Sequence, residues 1–528
     1  MRTIAVALGA ALAAAGVVAL TAQQAERVDT AMVAKIRDEG LNRSQVQPVF
    51  SQFVDVIGPR LTASPGHKQA AEFARDQLAR WGLTGARLEP FEFGRGWVLE
   101  KFTLEMIEPR YMPLVGYPEA WSPATTGEIV TSVVSLAGKT PEAVKEMQAS
   151  VKGAAVMLQP LVANFIRTDR VQPSEQPDAP SDAAGARGEG AGRRGAAGGQ
   201  PGAAGGRQGG EGQGRGGRQG GAAAGGTPTP QQQIDAAIRA GGAGVLLRAS
   251  RGEHGTLFLA GGRDNPNDTL PRVMLIGEHY NLIARYLERG TPVKLRVNVQ
   301  TRFFDADRNT YNVLAEIPGV DPVLKDEVVM LGAHLDSWHT ATGATDNADG
   351  SAASMEAFRI LKAIGAQPRR TLRLALWSGE EQGLLGSRAY VEKYLAGDAN
   401  KAARDKLAVY FNIDPGKGPI YGWFLEGNAA AKPIFDAWLA PFVDKQIGAR
   451  KNVMQGIGST DHLSFIRQGM LGFNPIQDYV GYDVREHHTN VDTAERIKEQ
   501  DLKQAAIILA SFVYHAAMRT ERLPRAAQ

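Results

Sequence analysis

From about residue 301 onward, short aliphatic runs alternate with stretches long enough for helices. The runs fall at 311–317, 328–333, 372–377, 407–413 and 471–473, and the helical patterns at 351–364, 386–395, 428–440 and 501–517. Unbroken apolar runs of this length suit strands covered on both faces, and regular alternation with helices leaves few other architectures. The pattern predicts an α/β fold with a mostly parallel sheet sandwiched by helices. Such sheets place their sites outside the carboxyl ends of their strands.

The chain before residue 301 divides differently. Residues 26–119 read as the first part of the same domain and look helical at the outset. Ala70, Phe73, Ala74, Leu78 and Trp81 share one helical face, and Gly82 stops the pattern. Residues 120–300 read as a smaller β-rich insert, with strand-like runs at 129–136, 154–158, 244–247, 273–276 and 293–299 and helical patterns at 232–240 and 279–288. Inside it, residues 185–226 contain 20 glycines and almost no apolar side chains. Burial cannot offset the entropy of ordering such a tract, so a disordered surface loop spanning about 175–230 is expected. The tract carries a net charge of +4, more than the +3 of the whole chain. The basic balance is therefore local and gives no reason to expect nucleic acid as a partner.

Arg2 followed by the apolar run 4–20 and the small-residue stretch Thr21-Ala22-Gln23 reads as a cleaved secretory signal over residues 1–22. The expectation is an exported protein, periplasmic or secreted, with no stable membrane insertion after cleavage. The chain has no cysteine, which removes disulfides, thiolate metal sites and cysteine nucleophiles.

The polar residues of interest gather at the ends of the predicted strands. His334-Leu335-Asp336 follows 328–333, and Asp346-Asn347 comes shortly after, before a helix. Glu380-Glu381 follows 372–377, Asp414 follows 407–413, and His487-His488 with Asp492 lies near the end. Imidazole and carboxylate both suit Zn²⁺, and a carboxylate shared between two ions lets both act on one water and one carbonyl. A neighbouring carboxylate that is not a ligand can take the proton of that water. Each piece alone is commonplace, since a lone His-x-Asp or Glu-Glu is usually a surface pair or a helix start. Together, each at a strand end, they form a coherent set.

The stretches HLDSWHTATGATDNADGSA, WSGEEQGLLGS, NIDPG and HHTNVDT resemble the co-catalytic zinc exopeptidases, and among them the carboxypeptidase Q-like branch. IGPRLTASPG resembles the start of that family's catalytic domain, and the insert resembles a protease-associated domain. The resemblance implies the zinc-exopeptidase (phosphorylase/hydrolase-like) fold and two Zn²⁺ per chain. His334, Asp346 and Asp414 would hold one ion, and Asp346, Glu381 and His488 the other, with Asp346 as the bridge. It further implies Glu380 as general base, Asp336 as the carboxylate orienting His334, Asp492 as a partner for His488, and a cis peptide at Asp346–Asn347.

Some relatives carry Tyr immediately before the last ligand; here His487 stands there and is a candidate donor to the oxyanion. Asp461 either receives a substrate amine or caps a helix, and His462 either borders the cleft or lies on the surface. Tyr479, Tyr482 and Arg485 are candidates for reading a substrate end, Arg485 by a fork that suits a carboxylate.

The implied function is hydrolysis of dipeptides or short peptides, with carboxypeptidase or dipeptidase action favoured and aminopeptidase action as the alternative. Readings of another class are a single-zinc glutaminyl cyclase or a receptor-like protein without catalysis. The five-residue ligand set that the resemblance implies and Glu380 argue against both. The insert is expected to shade the cleft or to support a homodimer.

Overall fold

The computed structural model describes residues 26–173, 228–443 and 451–526. The expected secretory signal and the glycine-rich tract lie outside the described residues. Among the described residues the named strands form two sheets.

The larger sheet runs, in spatial order, Thr84–Glu92, Asn309–Ile317, Thr371–Trp377, Val328–His334, Leu407–Asn412, Gly472–Asp478 and Lys417–Phe424. The four strands from Thr371–Trp377 to Gly472–Asp478 are parallel. The strands beyond them on either side pair antiparallel. Alternate residues of a strand point to opposite faces, and here they feed two cores. Val329, Leu331 and Ala333 join a cluster with Phe358 of helix Asp349–Ala363 and Ile508 of helix Glu499–Met518. Met330, between them, joins a second cluster with Tyr390 and Phe465. The sandwich follows directly from this two-sided burial.

Helix Pro65–Arg80 packs against strands Thr84–Glu92 and Asn309–Ile317. It begins where the Ser64 hydroxyl accepts from His67 N at 3.2 Å, with proline in the first turn. It ends before Gly82, whose φ of +81° turns the chain out of the helix.

The second sheet runs Met112–Pro113, Gly96–Glu108, Lys294–Phe304, Ile129–Ser135, Ala155–Met157, Val245–Ala249, Arg272–Leu275 and Gly116–Pro118. It therefore starts at Gly96, earlier than the residue 120 expected, and the helical character expected at the outset of residues 26–119 stops at Arg80. The reason lies in long-range pairing. Gly96–Glu108 lies antiparallel to Lys294–Phe304 from Gly96↔Phe304 to Glu108↔Lys294. The chain thus leaves the first unit and returns to it along one two-stranded ribbon. Strand Lys417–Phe424 was also missed. It is an edge strand with glycine and proline in its first half, which weakens any periodic signal.

Phe512 is fully buried and stacks on Trp423 with 4.7 Å between centroids, with Phe435 and Trp438 edge-on. Phe512→Ala is expected to lower the unfolding free energy by about 3–5 kcal/mol, read from urea denaturation. A loss below about 1 kcal/mol would contradict this packing.

Candidate functional site

The carboxyl ends of the parallel strands converge on a group of buried acids. Asp336, Asp346, Asp349, Asp414, Asp461, Asp492 and Glu380 are all buried, and the Glu381 side chain is 2% exposed. Asp346 sits centrally. Its Oδ1 lies 3.1 Å from His334 Nε2, and its Oδ2 lies 3.2 Å from His488 Nε2. Asp414 Oδ2 is 3.8 Å from His334 Nε2, and Glu381 Oε2 is 2.8 Å from His488 Nε2. One carboxylate thus faces two imidazoles, each with a second carboxylate beside it. The Asp346–Asn347 peptide is cis, as the resemblance implied.

These donors suit a metal. His334 Nε2, Asp346 Oδ2 and Glu381 Oε1 are buried without a well-formed hydrogen bond. Donor atoms of His334, Glu380 and Asp414 lie within 4.8 Å of one another, and so do those of Asp346, His487 and His488. Each group draws in one residue expected to stand outside the ligand set, Glu380 in the first and His487 in the second. Nitrogen and oxygen donors without sulfur fit Zn²⁺ and similar divalent ions. A concentration of buried negative charge also calls for cations, because unpaired buried carboxylates are costly.

Electrostatics run the same way. Burial and then the charge of Asp346 push the Glu381 carboxyl up to about 7. Burial raises Glu380 well above the usual carboxylate range, with Asp414, Asp461 and Glu381 adding to it against the opposing pull of His334. Burial disfavours the His334 imidazolium, but Asp336, Asp346 and Asp414 outweigh it and hold its pKa well above the ordinary value.

Two supporting carboxylates act differently from expectation. His334 Nδ1 donates to the backbone carbonyl of Asp336 at 2.9 Å, while the Asp336 carboxylate is 3.7 Å away. That carboxylate instead accepts from Glu380 N at 3.2 Å, Glu381 N at 3.4 Å and Thr62 Oγ1 at 2.8 Å. Asp336 therefore fixes the turn that presents Glu380 and Glu381. Asp492 does not orient His488; its carboxylate accepts from Thr345 N at 2.7 Å and Asp346 N at 3.2 Å. It holds the loop of the central Asp346, because that loop offers backbone N–H groups with no helical partner.

The remaining candidates scatter. His487 is part-exposed, its ring 3.7 Å from that of His488 and its Nε2 3.9 Å from Asp346 Oδ2. Of the two histidines, His488 is the nearer to both Asp346 and Glu381. Tyr482 is buried and stacks on His487 at 5.2 Å. Burial, then the charges of Asp346 and Asp414, keep its phenol protonated and hence a donor. Tyr479 is buried beside it at 6.2 Å.

Asp461 precedes helix His462–Ile466 but makes no side-chain cap, so the helix-cap alternative fails. Neither of its oxygens has a well-formed hydrogen bond, and burial above all pushes its carboxyl up to about 7. His462 is not on the surface. It is buried with Nε2 3.2 Å from Glu426, because its short helix packs on strand Gly472–Asp478. Arg485 is exposed on the rim, where its charge reaches Glu253 of the second unit.

Arg60 was not singled out from the sequence. It is fully buried and donates to the carbonyls of Leu335 at 2.8 Å, Thr342 at 2.7 Å and Gly343 at 2.8 Å, tying down both ends of the loop between His334 and Asp346. Burial pulls its pKa down to about 10, and Asp492, Asp336 and Asp346 oppose that. Its only sequence signal was its place in IGPRLTASPG. Trp338 was missed as well. It packs edge-on to the His488 ring at 6.1 Å and joins Leu61, Trp97 and Trp121 in one buried cluster.

Residues 312–513 match the model of peptidase family M28. Over 256 residues the chain is 29% identical to carboxypeptidase Q of Mus musculus, covering 48% of this chain and 52% of that protein. The chain thus spans about half the length of the curated relatives it matches. Among solved structures, the peptidase M28 precursor from Shewanella amazonensis SB2B aligns with a TM-score of 0.64 and 21% identity, covering 94% of this chain and 98% of the other. BSAP, a zinc aminopeptidase from Bacillus subtilis, aligns with a TM-score of 0.55 and 17% identity over 90% and 94%. These likenesses show the fold, and the stretch that matches the peptidase family M28 model, residues 312–513, holds every metal-site candidate named above.

Proposed function

We propose that the protein is a zinc-dependent exopeptidase that hydrolyses dipeptides or trims the ends of short peptides. The observation that carries this reading is Asp346, with one oxygen toward His334 and the other toward His488. His334, Asp346 and Asp414 would hold one zinc ion, and Asp346, Glu381 and His488 a second. Bound zinc supplies Lewis acidity toward water and the scissile carbonyl. The chain's own residues do the rest. Glu380, held by its backbone N–H to Asp336, takes the proton of the attacking water and returns it to the leaving amine. The divalent charge offsets the acids that raise Glu380, so its carboxylate is available as a base. His487, 3.9 Å from Asp346, and the phenol of Tyr482 stacked on it are the donors for the developing oxyanion.

Asp461 favours a second reading, aminopeptidase action. A buried carboxylate without a formed hydrogen bond suits a substrate ammonium. Arg485, exposed on the rim, has the weaker claim to a substrate carboxylate. Residues 1–22 support export to the periplasm or outside the cell. Among the described residues no helix is long and apolar enough to cross a membrane. The sheet from Gly96 to Phe304 is read as the protease-associated insert, shading the site or supporting a homodimer.

Glu380→Gln is expected to lower kcat by about 10²–10⁴ with zinc content retained. Full activity in that variant would remove Glu380 as the base. On N-acetylated and C-amidated tripeptides beside plain dipeptides, cleavage of only the N-blocked peptide means carboxypeptidase action. Cleavage of only the C-blocked peptide means aminopeptidase action, and cleavage of dipeptides alone means a dipeptidase. No cleavage by zinc-loaded protein would overturn the proposal.

Zinc uptake should also be pH-dependent. Burial works against the His488 imidazolium, but Glu381 and Asp346 outweigh it and push its pKa up to about 10. An unfolded histidine titrates near about 6.5. The folded pair therefore adds stability to metal-free protein that is full below that value and is lost as pH rises through about 10. At neutral pH zinc must displace this proton. Apparent zinc affinity is expected to rise about tenfold per pH unit for each proton displaced. Calorimetry in buffers of different ionisation enthalpy counts those protons, and a count of zero would contradict the assignment of His488.

A further inference from the structure

The second unit reaches the metal-site loops by a segment that carried no motif. After strand Ala155–Met157 the chain runs without helix or strand to residue 172 and lies against residues 477–485, the loop that leads into His487 and His488. Asp169 accepts from Gly481 N at 2.8 Å and from Val484 N at 3.0 Å. The Arg170 guanidinium donates to both oxygens of Asp483 at 2.5–3.1 Å, and its backbone N donates to the same carboxylate at 2.7 Å. Gln172 donates to the Gln477 carbonyl at 2.8 Å.

A row of stacked groups continues from this contact. The Arg170 guanidinium lies 5.0 Å from the Tyr479 ring centre and 5.4 Å from that of Tyr482. Tyr482 stacks on His487 at 5.2 Å with 28° between planes, and His487 on His488 at 3.7 Å with 29°. Trp338 closes the row edge-on to His488. Because Asp483 already occupies the Arg170 fork, that fork is not free to receive a substrate carboxylate. What Arg170 fixes is the position of Tyr482, and through it the plane of each ring down to His488.

We propose that Arg170 is a positioning residue for the metal ligand His488, acting through Asp483, Tyr482 and His487. The second unit then sets the geometry of the metal site itself rather than only shading it. The proposal rests on His488 being a zinc ligand. A part-exposed ion pair adds little stability. Removing a partner that orients a ligand commonly costs about 10–100-fold in metal affinity.

The test uses the full-length chain as wild type, Arg170→Ala, Asp483→Asn and, as a control on the same segment, Arg167→Ala, whose partner is Glu253. Zinc affinity is read by competition with a chromogenic chelator, and hydrogen exchange over residues 478–489 is read on the zinc-free proteins. The expected result is about tenfold weaker zinc binding and faster exchange in Arg170→Ala and Asp483→Asn, with Arg167→Ala unchanged in both. Unchanged zinc affinity in the first two variants overturns the proposal, whatever the exchange shows. Weaker affinity with unchanged exchange overturns the route through the loop. A wild type that binds zinc but cleaves no peptide sinks the peptidase reading and leaves this proposal to be judged on affinity. A wild type that takes up no zinc overturns both.

Discussion

Buried negative charge is the constraint around which the unit of the larger sheet is arranged. Asp336, Asp346, Asp349, Asp414, Asp461, Asp492, Glu380 and Glu381 converge where the parallel strands end, their side chains buried from the water that would screen them. The fold answers in three ways. Asp336 and Asp492 are satisfied by backbone N–H groups of the very loops that present the other acids. His334 and His488 stand between pairs of carboxylates. Arg60 provides a fixed buried cation whose fork is used on loop carbonyls, so it neutralises at a distance without occupying the centre. The remaining excess is what divalent ions fit.

The second unit is part of the same solution. His339, next to Trp338, bonds to the Pro118 carbonyl at 2.8 Å and lies edge-on to Trp97 at 5.0 Å. On the opposite flank Leu259 N donates to the His488 carbonyl at 2.9 Å, and Leu257 N donates to Asn490 at 2.7 Å. The loop after His334 is therefore bonded to a strand of the second sheet, and the strip holding His488 to the chain that joins two of its strands. Strips of irregular chain this close to a charged centre need such partners, because they have no ladder of their own.

The α/β sandwich was legible in the sequence because each central strand has to be apolar on both faces. His334, Asp346, Glu381, Asp414 and His488 stood out because each follows a strand-like run or lies in a quoted stretch, and the structure brings them together. What escaped was set by tertiary contact. Strand Gly96–Glu108 is half-exposed, and its identity depends on Lys294–Phe304, far along the chain. The roles of Asp336 and Asp492 turned on which backbone N–H groups came nearest, and spacing does not encode that. Arg60 and Trp338 lie inside the quoted stretches but nothing there marks them out, and Arg170 lies in none of them, since each acts through neighbours distant in sequence. The burial of His462 was not legible because an Asp-His pair reads alike whether its helix packs inward or faces water.

The paired ribbon through which the chain leaves and rejoins the first unit has a consequence for assembly. With Gly96 opposite Phe304, the long excursion between them ends where it began. To the larger sheet it is equivalent to a short hairpin, and closure entropy, which grows only slowly with loop length, puts little burden on forming Thr84–Glu92 against Asn309–Ile317. Once that ribbon is zipped, the sheet contacts on either side of it are local in effect though remote in numbering. Each unit can then close its own sheet, and the strip holding His488 is one of the places where the two meet.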